Sequence, residues 1–360
     1  MKISSEKYVP VLKWRQGEYQ ALFTLKADVK DKVVPLLIIP PREYDFEEKK
    51  MKKTIHEHVE TFPKRLYGKW GNRLALVDIH HSLEDEVMDD GRPVIEFVLN
   101  ETLRLGCNIR PVVGLSKSSS YIACIRSFLI TNKTGVVFRL KLDELLKPSV
   151  DADIAVMMNL LGVSSWKEVD LVVDLGEPEN FEPYGLFAKI VSGAVNKMSG
   201  CSTCRSLIFV ATSLKLRDIK KPGAIQKRHE WALFPSLRAE IAKTIYEPCF
   251  GDYTIESPTF LSLDMRKMKP AGKIVYTVDD SWLVPKGGAF RGNEAQMINH
   301  CKEIISSGKY STSSFSKGDE RIDETANKLN NCGNLTTWKW VGVNHHITFV
   351  MRQIASLYGP

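Results

Sequence analysis

Short apolar runs alternate with amphipathic stretches along this chain, strand then helix, and that rhythm limits the folds open to it more than any other feature. Strand-like runs fall at 9–13, 33–39, 74–79, 108–114, 136–142, 169–174, 207–211 and 253–255. Between them, 18–25, 55–69, 94–105, 121–130, 154–161, 186–195 and 231–243 repeat apolar residues at the three- and four-residue spacing of a helix with one buried face. Strands joined through a helix run parallel, and Val33-Val34-Pro35-Leu36-Leu37-Ile38-Ile39 is apolar almost throughout, as suits a strand covered on both faces. Eight such units predict an α/β fold, a closed (β/α)8 TIM-like barrel. The competing doubly wound open sheet lacks its Gly-rich first turn, because Trp14-Arg15-Gln16-Gly17-Glu18 follows the first strand.

After the eighth strand the rhythm breaks. Residues 273–278 and 282–284 read as a β-hairpin turning at Asp279-Asp280, followed by a helix over 293–306, with polar loops at 311–314 and 330–334. The expected division is 1–260 for the barrel strands and helices, 261–343 for a C-terminal insertion, and 344–360 for the helix that closes the barrel. In that last helix Ile347, Val350, Met351, Ile354 and Ala355 recur at helical spacing. Asn344 then falls at the N-cap, with His345 and His346 in the first turn.

Composition narrows the class. A length of 360 residues and 43% hydrophobic content suffice for a large core. The net charge of +7 arises from 50 basic and 43 acidic residues that are interleaved, which permits contact with phosphate without demanding it. Met1-Lys2-Ile3-Ser4-Ser5-Glu6-Lys7 has no apolar leader, and no run approaches the roughly 18 apolar residues of a membrane span, so a cytoplasmic location without membrane contact is expected. Seven cysteines at irregular spacing predict reduced packing residues; Cys201 and Cys204 form a lone C-x2-C read as a loop, with structural zinc or a redox pair as alternatives. His56 and His58 stand two apart on a helix and point in different directions, and the basic run 49–53 reads as a solvated helix entry. P-loop, dinucleotide-binding, zincin and nucleophile-elbow motifs are all missing.

At 8–19, reading Tyr8-Val9-Pro10-Val11-Leu12-Lys13-Trp14-Arg15-Gln16-Gly17-Glu18-Tyr19, and again at Gly333-Asn334, Thr336-Thr337-Trp338 and Asn344-His345-His346, the chain resembles the bacteriophage "beta protein" family. The resemblance runs end to end. It implies a role in phage–host conflict, as phage weapon or host defence, and carries no catalytic residue over.

In a barrel of this type, functional groups gather at the C-terminal ends of the strands. Lys13, Trp14 and Arg15 follow the first strand, Asp78 and His80 end the third, Arg139 lies late in the fifth, and Asp174 ends the sixth. Strand alternation sets Asp78 and His80 on one face as a base and its partner, against the plain alternative that strand ends are charged because they are solvated. A helix start with two histidines would bind an anion and transfer protons, so His345 and His346 are candidate catalytic groups, and Asn344, Thr337 and Trp338 candidate ligand contacts. The bland alternative is a cap followed by surface histidines. Asp174 and Asp319 are the candidate ligands of Mg²⁺; Asp279, Asp280, Arg291, Glu294 and Arg321 complete a charged series that equally suits turns and caps. The function expected is binding of a phosphate-bearing ligand, nucleic acid or nucleotide, with metal-dependent phosphodiester hydrolysis as the reaction should the protein be an enzyme. The alternative is a non-catalytic module for a protein partner, anchored by Trp282, Trp338 and Trp340.

Overall fold

Alternation within each strand sends one set of side chains inward and the other toward the helices, and through the middle of the strands both sets are apolar. The strands are β1 (Tyr8–Leu12), β2 (Leu36–Ile39), β3 (Ala75–Ile79), β4 (Ile109–Val113), β5 (Val136–Lys141), β6 (Val169–Gly176), β7 (Ser206–Ala211) and β8 (Cys249–Asp252). All neighbours pair in parallel, and β1 pairs with both β2 and β8, Val11 opposite Leu36 and Tyr8 opposite Phe250, so the barrel is closed. This is the expected TIM-like barrel, in a computed structural model that describes residues 2–243, 245–260 and 269–358. Val9, Val11, Leu36, Ile38, Leu76, Val112, Val137, Val172, Ile208 and Val210 fill its middle, while Tyr8, Leu12, Val77, Phe138, Leu171 and Phe209 meet the helices. The eighth strand lies just ahead of the expected 253–255.

The helices used below are α1 (Gln16–Phe23), α2 (Phe62–Trp70), α3 (Val94–Arg104), α4 (Ser119–Asn132), α5 (Val150–Leu161), α6 (Tyr184–Asn196), α7 (His229–Ile241), α8 (Gln296–Ser306), α9 (Lys317–Ala326) and α10 (Leu335–Leu357). The single helix expected over 55–69 is interrupted at Thr61, where Pro63 sits in the first turn of a fresh helix. The basic run is not a helix entry: Lys50–Met51 pairs with Tyr44–Asp45 as a short exposed hairpin arm.

The insertion is built as expected around a turn at Asp279-Asp280, with Tyr276–Val278 antiparallel to Ser281–Ala289. Ala271–Lys273 pairs with the same long strand. A further partner comes from within the barrel half: Gly223–Lys227, between β7 and α7, runs antiparallel to Ser281–Ala289 with Ala224 opposite Val284. The insertion start expected at 261 lies outside the described residues. Helix α10 packs on α1 and β1, as the eighth helix of a barrel must, but it starts at Leu335 and not at 344.

Strand β8 is wedged between β1 and β7, and its Gly251 leaves no room for a side chain. A Cβ there would lie 2.6 Å from the Val9 carbonyl oxygen and 2.8 Å from Val210 Cγ2. Gly251→Ala is expected to lower stability by about 1–3 kcal/mol, the usual cost of overpacking a rigid core, read as a lower urea midpoint. An unchanged midpoint would show that the barrel opens at this seam without strain.

Candidate functional site at the barrel mouth

The inward-facing residues change character at the C-terminal ends of the strands. Above the apolar middle stand Lys13 from β1, Asp78 from β3, Arg139 from β5, Asp174 from β6 and, just past β8, Tyr253. Arg139 is the hub: its Nε and Nη2 donate to Asp174 Oδ2 at 2.9 and 2.7 Å, and Nη2 also donates to the Tyr253 hydroxyl at 2.9 Å. Its Nη1 reaches Asp78 Oδ2 at 3.4 Å, and Tyr253 donates to Asp174 Oδ2 at 2.6 Å. Burial alone would lower the guanidinium pKa, yet Tyr253, Asp174 and Asp78 outweigh it and hold it above its ordinary value. Lys117, in the loop after β4, donates to Asp78 Oδ1 at 2.7 Å and pairs with Glu84 at 3.1 Å.

A second cationic corner lies beside β1. Lys13 Nζ donates to the Thr259 carbonyl oxygen at 2.6 Å, sits 3.7 Å from Glu256, and lies over the Phe260 ring. Lys339, from the first turns of α10, is ion-paired with the same Glu256. Burial pushes both ammonium groups down to about 8; Glu18 pulls them up, and Arg15 pushes both down further. Lys13 also lowers Lys339.

Five of the candidate residues are therefore brought together: Lys13, Asp78, Arg139 and Asp174 in the mouth, with Arg15 exposed at its rim. His80 shares the mouth but does not act with Asp78. Its Nδ1 lies 2.9 Å from Ser82 Oγ, its ring meets Phe260, and burial followed by the charges of His81 and Lys117 pushes its pKa down to about 4. Trp14 is turned into the core against Tyr19 and Phe62 and does not face a ligand. Tyr253, Lys117, Glu84, Glu256 and Lys339 were not anticipated. Tyr253 fell inside the expected eighth strand, whereas the others sit in loops or in the misplaced start of α10.

That misplacement changes the role of the histidine pair. Asn334, not Asn344, caps the helix: its side chain accepts from Thr337 N at 2.9 Å, and Thr337 Oγ1 accepts from Asn334 N at 3.1 Å. His345 and His346 lie mid-helix and are fully buried, so neither presents a helix terminus to a ligand. Asn344 is a staple, accepting from Gly318 N at 2.9 Å while donating to Ala21 O at 3.1 Å. Gly318 lets α9 approach this closely, since a Cβ there would sit 2.4 Å from the Val341 carbonyl oxygen.

The adjacent histidines diverge, one toward Asp319 in the insertion and the other toward Asp252 at the end of β8. His345 stacks on Tyr276 at 3.8 Å and lies 2.9 Å from Asp319 Oδ2 and 2.8 Å from the Thr277 carbonyl oxygen. Each ring nitrogen of His345 thus faces an oxygen, one from the insertion's acid and one from the hairpin backbone. Asp319 also accepts from Tyr276 at 2.7 Å and Ser316 at 2.5 Å. Burial works against its charge, but His345 and these hydrogen bonds hold its pKa below the usual carboxylate range. His346 Nε2 lies 2.9 Å from Asp252 Oδ2 and its Nδ1 2.7 Å from the Thr277 hydroxyl. Burial outweighs the Asp252 charge and lowers its pKa, which suits a neutral ring donating from Nε2. Burial also opposes the charge on Asp252, yet His346, Arg228 and Tyr8 keep its pKa low.

Asp319 and Asp174 thus belong to separate networks. Among the described residues no three His, Cys, Asp or Glu side chains are placed to hold a metal ion. Asp279 and Asp280 form the hairpin turn, with Asp279 paired to Lys309, and Glu294 accepts from Gly292 N at 2.9 Å in a loop. Arg291 is exposed. Cys201 and Cys204 are buried free thiols around a short 3-10 turn, and His56 and His58 diverge, the latter to the Pro40 carbonyl oxygen. Trp282 and Trp338 are buried and Trp340 half-buried, so they form no open apolar anchor.

His345→Ala would leave Asp319 buried with only the Tyr276 and Ser316 hydroxyls as side-chain partners, and is expected to cost about 3–5 kcal/mol of stability in denaturant unfolding; a variant as stable as the parent would remove the pair from its structural role. The His346 pKa is depressed on folding, so the unfolded chain takes up the proton first and this residue's contribution falls as pH drops below about 6.5. Asp252 and Asp319, also depressed, are lost at lower pH, as it falls through their folded values. Glu230, pushed up to about 7 by burial, has the opposite sign, so only a comparison isolates His346. The stability advantage of the parent over His346→Gln, which keeps a donor toward Asp252, should shrink between pH 7 and 5; an advantage that is constant with pH would contradict the neutral ring.

Comparison with known proteins adds the family. Among solved structures the chain is similar to triosephosphate isomerase from Bartonella henselae, with 10% identity, 69% of this chain and 92% of that one covered, and a TM-score of 0.34. It is similar also to the enoyl reductase domain of MlnA from Bacillus amyloliquefaciens, with 11% identity, 96% and 92% covered, and a TM-score of 0.36. Resemblance this slight transfers no activity. No curated protein matches the chain. The family model described as Beta protein matches residues 8–352, nearly the whole length, and the chain belongs to the Beta protein family.

Proposed function

We propose that the barrel mouth binds a phosphate-bearing ligand, a nucleotide or nucleic acid, at the corner formed by Lys13, Arg15 and Lys339. The observation that supports this is the convergence of three cations on one corner: Lys13 and Lys339 both reach Glu256, and burial, more than the repulsion from Arg15, lowers both lysines against the pull of Glu18. An anion docked there would favour the charged form of both lysines. The position, at the C-terminal face of a TIM-type barrel, is where such folds place their ligands.

The arrangement favours binding over metal-assisted hydrolysis, because Asp78 and Asp174, the carboxylates best placed for a divalent ion, are both engaged by Arg139. The setting proposed is the cytoplasm during phage–host conflict, as the family resemblance implies; no helix among the described residues is long and apolar enough to cross a membrane. A protein partner is the second reading, and it rests on residues other than the tryptophans: Val156 and Leu160 on α5, with Leu186 and Ile190 on α6, are exposed apolar side chains.

Titration of labelled single- and double-stranded DNA and RNA, and of nucleotides, at two salt concentrations and with Mg²⁺ or chelator tests the reading. Saturable, salt-sensitive binding is expected, with Lys13→Gln and Lys339→Gln each weakening it about tenfold and lowering the salt slope by roughly one. Affinity indifferent to both substitutions would overturn it, and metal-dependent cleavage would convert binding into phosphodiester hydrolysis.

A further inference from the structure

The corner formed by Lys13 and Lys339 is occupied by the chain itself. Just past β8 the backbone turns at Thr254, a β-branched residue at φ 56°, and residues 256–260 then cross the mouth. That left-handed conformation is costly for such a residue, and here Asp252 Oδ1 fixes it by accepting from Thr254 N at 2.8 Å. Ile255 is buried against Gly342 of α10, where a Cβ would lie 2.7 Å from Ile255 Cδ1. The chain is pinned as far as Ile255.

Beyond that point it is held differently. Residues 256–260 form neither helix nor strand and are half-buried or exposed. Side chains fasten them: Glu256 Oε2 lies 3.7 Å from Lys13 Nζ, and Glu256 Oε1 is ion-paired with Lys339. The Thr259 carbonyl oxygen accepts from Lys13 Nζ at 2.6 Å, and the Phe260 ring covers the same ammonium and meets the His80 ring edge-on. Ser257 Oγ donates to Glu177 Oε2 at 3.1 Å. Glu256, Thr259 and Phe260 thus converge on one ammonium group, and the Glu256 carboxylate bridges two cations as a phosphate would.

We propose that Glu256–Phe260 is a displaceable strap whose Glu256 carboxylate stands in the place of the ligand's phosphate and must leave before the ligand enters. The inference rests on the reading of this corner as an anion site and adds the regulation of that site. A phosphate brings more charge and more acceptor oxygens than a carboxylate, so it competes for both ammonium groups. Once Lys13 turns to the phosphate, the strap loses the contacts of Glu256, Thr259 and Phe260 together and lifts beyond the fixed turn at Thr254. Molecules with the strap down take up no ligand, so the apparent affinity is the intrinsic one reduced by the fraction with the strap raised.

Calorimetric titration with inorganic pyrophosphate, joined to amide hydrogen exchange, tests the strap. Glu256→Gln keeps the shape of a side chain that is 24% exposed and removes its hold on the lysines. With the raised state populated to about a tenth or less, this variant is expected to bind pyrophosphate at least about tenfold more tightly than the parent. Removing a nearby negative charge would also raise affinity without any movement, so exchange supplies the second reading. Saturating the parent with pyrophosphate should speed exchange at Ser257, Thr259 and Phe260 while the amides of β8 keep their protection. A parent that binds with unchanged exchange in 257–260, or a variant that binds no more tightly than the parent, would overturn the strap and leave the anion site standing. No saturable binding by either protein would overturn the anion site, and the strap with it.

Discussion

Thr277 is the point through which barrel and insertion are joined. Its carbonyl oxygen meets His345 and its hydroxyl meets His346, while the far side of each ring reaches an acid, Asp319 in the insertion and Asp252 at the end of β8. Two side chains adjacent in sequence diverge by about 100° on a helix, and that divergence lets one segment of α10 grip two layers at once. Polar groups this deep are tolerated because the network supplies partners for them, and a network of this kind specifies one docking angle where apolar contact alone would allow several.

Apolar packing then follows the same division. Val343, Ile347, Val350, Met351 and Ile354 of α10 join the core around the barrel, whereas Trp338 and Val341 join the core of the insertion with Ile274, Tyr276, Met297 and Ile322. A helix buried on nearly all sides reads in the sequence as weakly amphipathic, and this is why its true start was hidden. Thr336, Thr337 and Gly342 are poor helix formers, so propensity pointed to a later beginning. The capping pair Asn334 and Thr337 was the available signal, with threonine in the place where a glutamate would have been recognised.

The barrel and its mouth were more legible. Strands buried on both faces announce themselves as apolar runs, and once their ends are known, alternation selects Lys13, Asp78, Arg139 and Asp174 as inward-facing. Which of these would pair was not legible, because pairing depends on loop residues such as Lys117 and Glu84 whose backbone path no periodicity records. His80 illustrates the limit: it was placed in the right mouth, yet a local turn at Ser82 takes its hydrogen bond. The Gly223–Lys227 strand escaped notice for a related reason, since its exposed polar pattern suits an edge strand and resembles a loop.

That strand bears on how the chain reaches its fold. Gly223–Lys227 lies between β7 and β8 in sequence but finds its partner in Ser281–Ala289, beyond β8, and α10 covers β1 from the opposite end of the chain. Contacts between distant segments carry the entropy cost of closing long loops, and both the sheet of the insertion and the cover over β1 are of this kind. The insertion is therefore no removable module. Grafting it elsewhere, or trimming it from the barrel, would strip a strand of its neighbour and leave an unpaired edge, open to pairing with other chains.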